Sequence, residues 1–353
     1  MSSTDRPEEP NRRGWRLLGL FWLTLIALAA GIGGLLQFMG PPAAHVAVTR
    51  NLTPPTSRAS LAKPASQAAV RDAAGPIAAP DPALWDTAGG DEAGHLPKIA
   101  ADGRTPMRVY AAGFDGRDHL PRAAILVAGI GMNRAESEAA IHALPSAVSL
   151  AISPYVDHPE DVLAAARASG HEYLIALPLE PTGYPLNDPG PRTLLTSASP
   201  EENARRLHWA LSRFDGYAGA TGIVGTMRGE RLARMPDLMD PVLGELAARG
   251  LFYVDPREGG GAITKAWGRH IDMVVDEPDA ADAIDARLAA LEQRARDHGA
   301  ALGLITRPTP VAVARLAAWA NGITARGIAL APVSNLGLPP AEGTTEARRF
   351  RIE

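Results

Sequence analysis

Cysteine is absent from all 353 residues. That excludes disulfides, Cys-ligated zinc and thiol nucleophiles, and it is compatible with an oxidising compartment. A basic excess is missing too. The formal net charge of −4 and pI near 6.2 argue against nucleic acid as a partner. The short motifs of familiar hydrolases are also lacking: no HExxH or HxxxH pair, no Gly-x-Ser-x-Gly elbow, and no Lys-Ser/Thr after the glycines of VGTMRGER at Val224. No internal repeat is evident.

What is present begins with an apolar run. From Leu17 to Met39 the chain reads LLGLFWLTLIALAAGIGGLLQFM, uncharged and long enough to cross a bilayer, with Arg12, Arg13 and Arg16 ahead of it. This predicts a cytoplasmic N-terminus over 1–16, a transmembrane helix over 17–39 and an exported remainder. The rival is a signal peptide cleaved near Ala27-Leu28-Ala29, but apolar sequence continues past that point. Residues 40–95 are rich in Ala, Pro, Ser and Thr without periodicity, which reads as a flexible tether.

From residue 96 to about 340 short apolar runs alternate with amphipathic stretches, ahead of a tail at 341–353. The pattern is that of an α/β domain with a mostly parallel sheet. Eight strand candidates are AAILVA, AVSLAI, EYLIAL, ATGIVG, LFYV, IDMVV, AALGLI and GIALAPV. About eight β/α units favour an irregular barrel; an open doubly wound sheet is the alternative. A helix is expected from Asn133, another from Pro200, and one ending before Gly250. A short extended lead-in carrying Val109, Tyr110 and Phe114 precedes the first strand.

In such folds chemistry is placed at strand C-terminal ends. The first strand ends on Ala128, Gly129, Ile130 and Gly131, with no acid, base or ligand. LPLEPTGYPLNDPGPRTLL, stiffened by Pro181, Pro185, Pro189 and Pro191, offers Glu180, Asp188 and Arg192. VGTMRGER offers Arg228, its glycines reading more simply as turn residues than as an anion site. VDPREGGG offers Asp255 and Arg257, which could pair with each other or with Glu180. Each set can equally be a solvated loop or a structural ion pair. Among the nine histidines none is expected at a strand C-terminus, and His270 is expected to precede a strand.

The order of these segments resembles the divergent polysaccharide deacetylase family, a branch of the barrel-fold carbohydrate esterases. The resemblance rests on DGRTPMRVYAAGFDG, AAILVAGIG, GHEYLIALPLEPTGYPLNDPGPRTLLTSASPEENARRLHWAL, RGLFYVDPR and GIALAPVSNL, over about 96–336. It implies a barrel of the glycoside hydrolase/deacetylase type that binds a glycan or peptidoglycan-related ligand on its C-terminal face. It also implies what is missing. Metal-bearing relatives carry two Asp residues where this chain has Ala128 and Gly129. They carry His-Met-Gly where Thr226 stands, and Gly-His-Pro where ITRP places Thr306 near the imidazole. Ala, Gly and Thr cannot supply a zinc first shell.

The expectation is therefore a protein held in the inner membrane by one helix, its barrel periplasmic, without metal or other cofactor, binding glycan or an envelope protein partner through Glu180, Asp188, Arg192, Arg228, Asp255 and Arg257. Two alternatives stand beside it: a hydrolase of acylated glycans using Glu180 and Asp255 without metal, and a scaffold for envelope machinery.

Overall fold

A computed structural model describes residues 75–86, 94–116 and 119–341. The apolar run at 17–39, most of the expected tether and the tail from 342 lie outside the described residues. Among the described residues no helix is long and apolar enough to cross a membrane.

The expected boundary at residue 96 falls too late. Two short strands, β1 (Trp85–Asp86) and β2 (Leu96–Pro97), pair antiparallel, so residues on both sides of that boundary form one unit. Before them Asp81 caps a single 3-10 turn, its side chain accepting from the Ala83 N–H, and its carboxylate meets Arg104 at 2.6 Å. Ile77 and Leu84 are buried with Tyr110 and Ala112 in the cluster that fills the barrel interior. Composition hid this because the anchors are only two apolar side chains among Ala, Pro and Asp. The lead-in itself is a helical turn, α1 (Pro106–Val109), rather than an extended segment, with Pro106 favoured at the helix start.

All eight expected strands are found: β3 (Arg122–Ile130), β4 (Ser149–Ile152), β5 (Tyr173–Ala176), β6 (Gly219–Thr221), β7 (Phe252–Asp255), β9 (Met273–Val274), β10 (Ala300–Ile305) and β11 (Ala329–Leu330). One more, β8 (Gly268–His270), precedes β9 by two residues. Every pairing in this sheet is parallel, in the order β8-β7-β6-β5-β4-β3-β10-β9, with β11 beside the start of β3. The order never reverses, as a doubly wound sheet would require. Its two ends, β8 and β9, are consecutive in the chain. Ile271 donates to Asp255 O at one edge and Asp272 to Leu302 O at the other, so the sheet curls until one segment bridges both edges.

The helices on the outside are α2 (Arg134–Ala143), α3 (Pro159–Ala168), α4 (Pro200–Leu211), α5 (Glu230–Ala233), α6 (Pro236–Ala248), α7 (Ala281–His298) and α8 (Pro310–Ala320). Their starts follow capping chemistry: Asn133, Ser199 and Thr309 each accept a first-turn N–H on the side chain. Gly250, at φ 69°, ends α6 as expected.

Strand alternation then sorts the core into two layers. Ile125, Val127, Leu150, Ile152 and Ile175 pack outward against the helices. Ala124, Leu126, Ala128, Ala151, Leu174, Val254, Leu302 and Leu304 point inward. At the N-terminal end Glu172, fully buried, accepts from Ala112 N, Ser149 Oγ, Ser334 N and Ser334 Oγ, tying the lead-in and the final segment to β5. A carboxylate with that many donors is satisfied in a place where an unpaired one would be prohibitive.

The boundary correction predicts that a fragment starting at Leu96 is less stable than one starting at Gly75. Loss of two buried aliphatic side chains and the Asp81–Arg104 pair should cost at least about 2 kcal/mol. Urea unfolding of both fragments measures it; equal midpoints would return the boundary to residue 96.

Candidate functional site

The C-terminal mouth is built from the last inward-facing positions of neighbouring strands. Leu304 pairs with Val274 and Ile305 with Val127, so one step further Thr306 stands between Asp276 and Ala128. On β5 the corresponding inward residue is Ala176, also buried. The floor is thus Ala, Ala, Thr and one carboxylate.

That carboxylate is engaged. Asp276, 5% exposed, accepts from Thr306 N on both oxygens at 2.9 Å, from Thr306 Oγ1 at 2.8 Å and from Arg307 N at 3.2 Å. Three donors on one loop orient both carboxylate oxygens toward the protein. Asp276 closes IDMVVD at a strand end, and the same inspection that found Asp255 could have found it.

The resulting loop lies over Gly129. At φ 74° an ideal Cβ there would sit 3.2 Å from Thr306 O and 3.6 Å from Arg307 Cα. The backbone turn uses glycine's freedom, and little space is left for a side chain. Thr306 itself faces into the floor, whereas Arg307 is exposed and precedes Pro308. Thr226 is exposed in a tight turn closed by reciprocal Val224 and Met227 backbone bonds, with Gly225 at φ 59°. Gly229 is a close-approach glycine, its Cβ position only 2.5 Å from Leu179 Cβ. Both glycines are therefore turn residues.

A hydrolytic zinc site draws on several carboxylates and imidazoles with free lone pairs. The donor set here does not fit one: the floor carboxylate is spent on three donors, and Ala128, Gly129, Thr226 and Thr306 offer no ligand. Among the described residues no three His, Cys, Asp or Glu side chains are grouped to hold a metal.

The candidate ligand-binding residues separate into two groups. Asp255 and Arg257 pair with each other, Arg257 Nε lying 2.9 Å from Oδ1 and 3.1 Å from Oδ2, and this bidentate contact raises the guanidinium pKa above its ordinary value. Arg228 shares a cavity with Arg257 and meets Glu230 at 3.5 Å and Glu277 at 3.2 Å. Glu180 joins neither arginine. It is 3% exposed, held by Arg231 at 2.9 Å and by the Thr196 N–H. Asp188 and Arg192 lie on the proline-rich loop, where Asp188 accepts the Gly190 N–H as a turn former and Arg192 stacks over Trp209 at 5.8 Å. The tip of that loop presents Leu186, 95% exposed.

One histidine is placed differently from expectation. His270 ends β8 and pairs in register with Asp255, so an imidazole does stand at a strand C-terminus. β8 went unrecognised because GRH carries no apolar run. The Tyr253 hydroxyl is buried against Gly222, and burial pushes its pKa well up.

Arg257→Ala should destabilise the protein by about 2 kcal/mol, because Asp255 is left buried with only a backbone donor. Arg307→Ala, at an exposed position, should stay within about 0.5 kcal/mol. Urea denaturation checks both; a neutral Arg257→Ala would show that the pair is not structural.

The model of the divergent polysaccharide deacetylase family matches residues 125–337. A solved structure of an uncharacterized protein from Agrobacterium tumefaciens C58 is 31% identical, covers 69% of this chain and 99% of its own, and superposes with a TM-score of 0.64. An uncharacterized protein of Haemophilus influenzae is 27% identical over 201 residues, 54% of this chain and 68% of that protein. A family 4 carbohydrate esterase from Streptomyces lividans, in complex with acetate, is 11% identical over 63% of this chain and 98% of its own, with a TM-score of 0.39. With its family match covering more than half of the sequence and its strand order as described, this chain belongs to the divergent polysaccharide deacetylase family.

Proposed function

We propose that the chain is a glycan-binding member of its family that does not hydrolyse the glycan. The observation that carries this reading is at the mouth floor, where the Asp276 carboxylate is engaged by Thr306 and Arg307 and β3 ends on small residues without a ligand. The rival reading, a hydrolase without metal, assigns acid–base work to Glu180 and Asp255. Glu180 and Asp255 are instead each held by an arginine. What the mouth retains is a polar rim of arginines and carboxylates, suited to saccharide hydroxyls.

The reading includes an inner-membrane helix at Leu17–Met39 and a periplasmic barrel. Its support is the uncharged run and the three preceding arginines. Alkaline phosphatase fused after Glu353 should be active; an inactive but stable fusion would contradict that orientation.

The functional claim is tested by mixing the full chain with N-acetylated envelope oligosaccharides and following binding and acetate release together. Saturable binding without acetate release is expected. Release in proportion to protein, abolished by a variant at Asp255 or Glu180, would establish the hydrolase in its place.

A further inference from the structure

One sector of the rim has a feature that saccharide hydroxyls alone do not require. A cavity of about 300 Å³ is lined by Arg228, Arg234, Arg257 and Arg287, together with Glu230, Glu258, Glu277 and Val274. The four guanidiniums come from separate places in the chain: the loop after β6, the end of α5, the loop after β7, and α7. The fold, not local sequence, brings them together.

Their commitments differ. Arg257 is neutralised by Asp255, and Arg228 lies between Glu230 and Glu277. Glu258 accepts the Val274 N–H at 2.6 Å. Arg234 and Arg287 form no side-chain hydrogen bond or ion pair among the described residues. The two cations without a partner therefore face one cavity large enough for a sugar-sized group. Guanidinium forks match carboxylate and phosphate oxygens, and charge-assisted bonds of this kind are stronger than those to hydroxyls. With Asp255 counted, four guanidiniums face four carboxylates and the lining is net neutral, so recognition of an anion rests on the two guanidinium forks left without a partner and not on a net field.

We propose that this cavity receives the acidic substituent, carboxylate or phosphate, of a saccharide unit bound at the barrel mouth, with Arg234 and Arg287 as its ligands. The inference rests on the glycan-binding reading and adds the class of glycan.

The test is calorimetric titration of the full chain with three oligosaccharides of equal length: neutral, uronate-containing and phosphate-bearing. Wild type should bind at least one acidic form at least about tenfold more tightly than the neutral one. Arg234→Ala/Arg287→Ala, at two exposed positions, should erase that preference while leaving the thermal transition unchanged. The uronate and phosphate arms distinguish the two anions. Equal binding of acidic and neutral forms, or a preference that survives in the variant, would overturn the inference and leave glycan binding intact. Failure of all three to bind would overturn glycan binding itself, and the acidic site with it.

Discussion

The Asp276 carboxylate sets the character of the barrel mouth. By accepting Thr306 N, Thr306 Oγ1 and Arg307 N it fixes the turn from β10 toward α8. That turn carries Thr306 O to the Cβ position of Gly129. Gly129 in turn can hold φ 74° only because no side chain is asked of it. The neighbouring inward position is Ala128, on the same strand. Asp276, the β10 turn and the small residues of β3 thus form one mutually dependent arrangement, and its cost is that the floor carboxylate is engaged in holding the turn.

The same economy holds elsewhere in the molecule. Glu172 binds the lead-in and the closing segment at the opposite end. Glu180 is clamped by Arg231 and a backbone N–H beneath the proline-rich loop. At Asp272 burial alone would raise the carboxyl pKa, but the Leu302 N–H and the Arg269 and Arg294 guanidiniums outweigh it and hold it below its usual range. Glu172, Glu180 and Asp272 thus join strands and loops that are distant in sequence. At the rim, Arg234 and Arg287 are exposed.

How much of this was legible in the sequence depends on what each residue must do locally. Strands such as AAILVA and AALGLI announce themselves because both faces are buried and the run is continuously apolar. The caps at Asn133, Ser199 and Thr309 are short-range chemistry. The small residues at the end of β3 were equally readable, as Ala and Gly offer no ligand in any context. β8 was not legible, since Gly268-Arg269-His270 becomes a strand only by pairing with β7. Neither was the partner of Glu180: Arg231 is 51 residues away in sequence, counted from the two positions, and only the packing of α5 brings it near. The convergence of Arg228, Arg234, Arg257 and Arg287 is tertiary for the same reason.

The central claim is that the mouth no longer supplies the donors of a hydrolytic metal site. Zinc calorimetry on the wild-type chain tests it most directly. The wild type should show no saturable binding. Stoichiometric, tight zinc binding by the wild type would contradict the account.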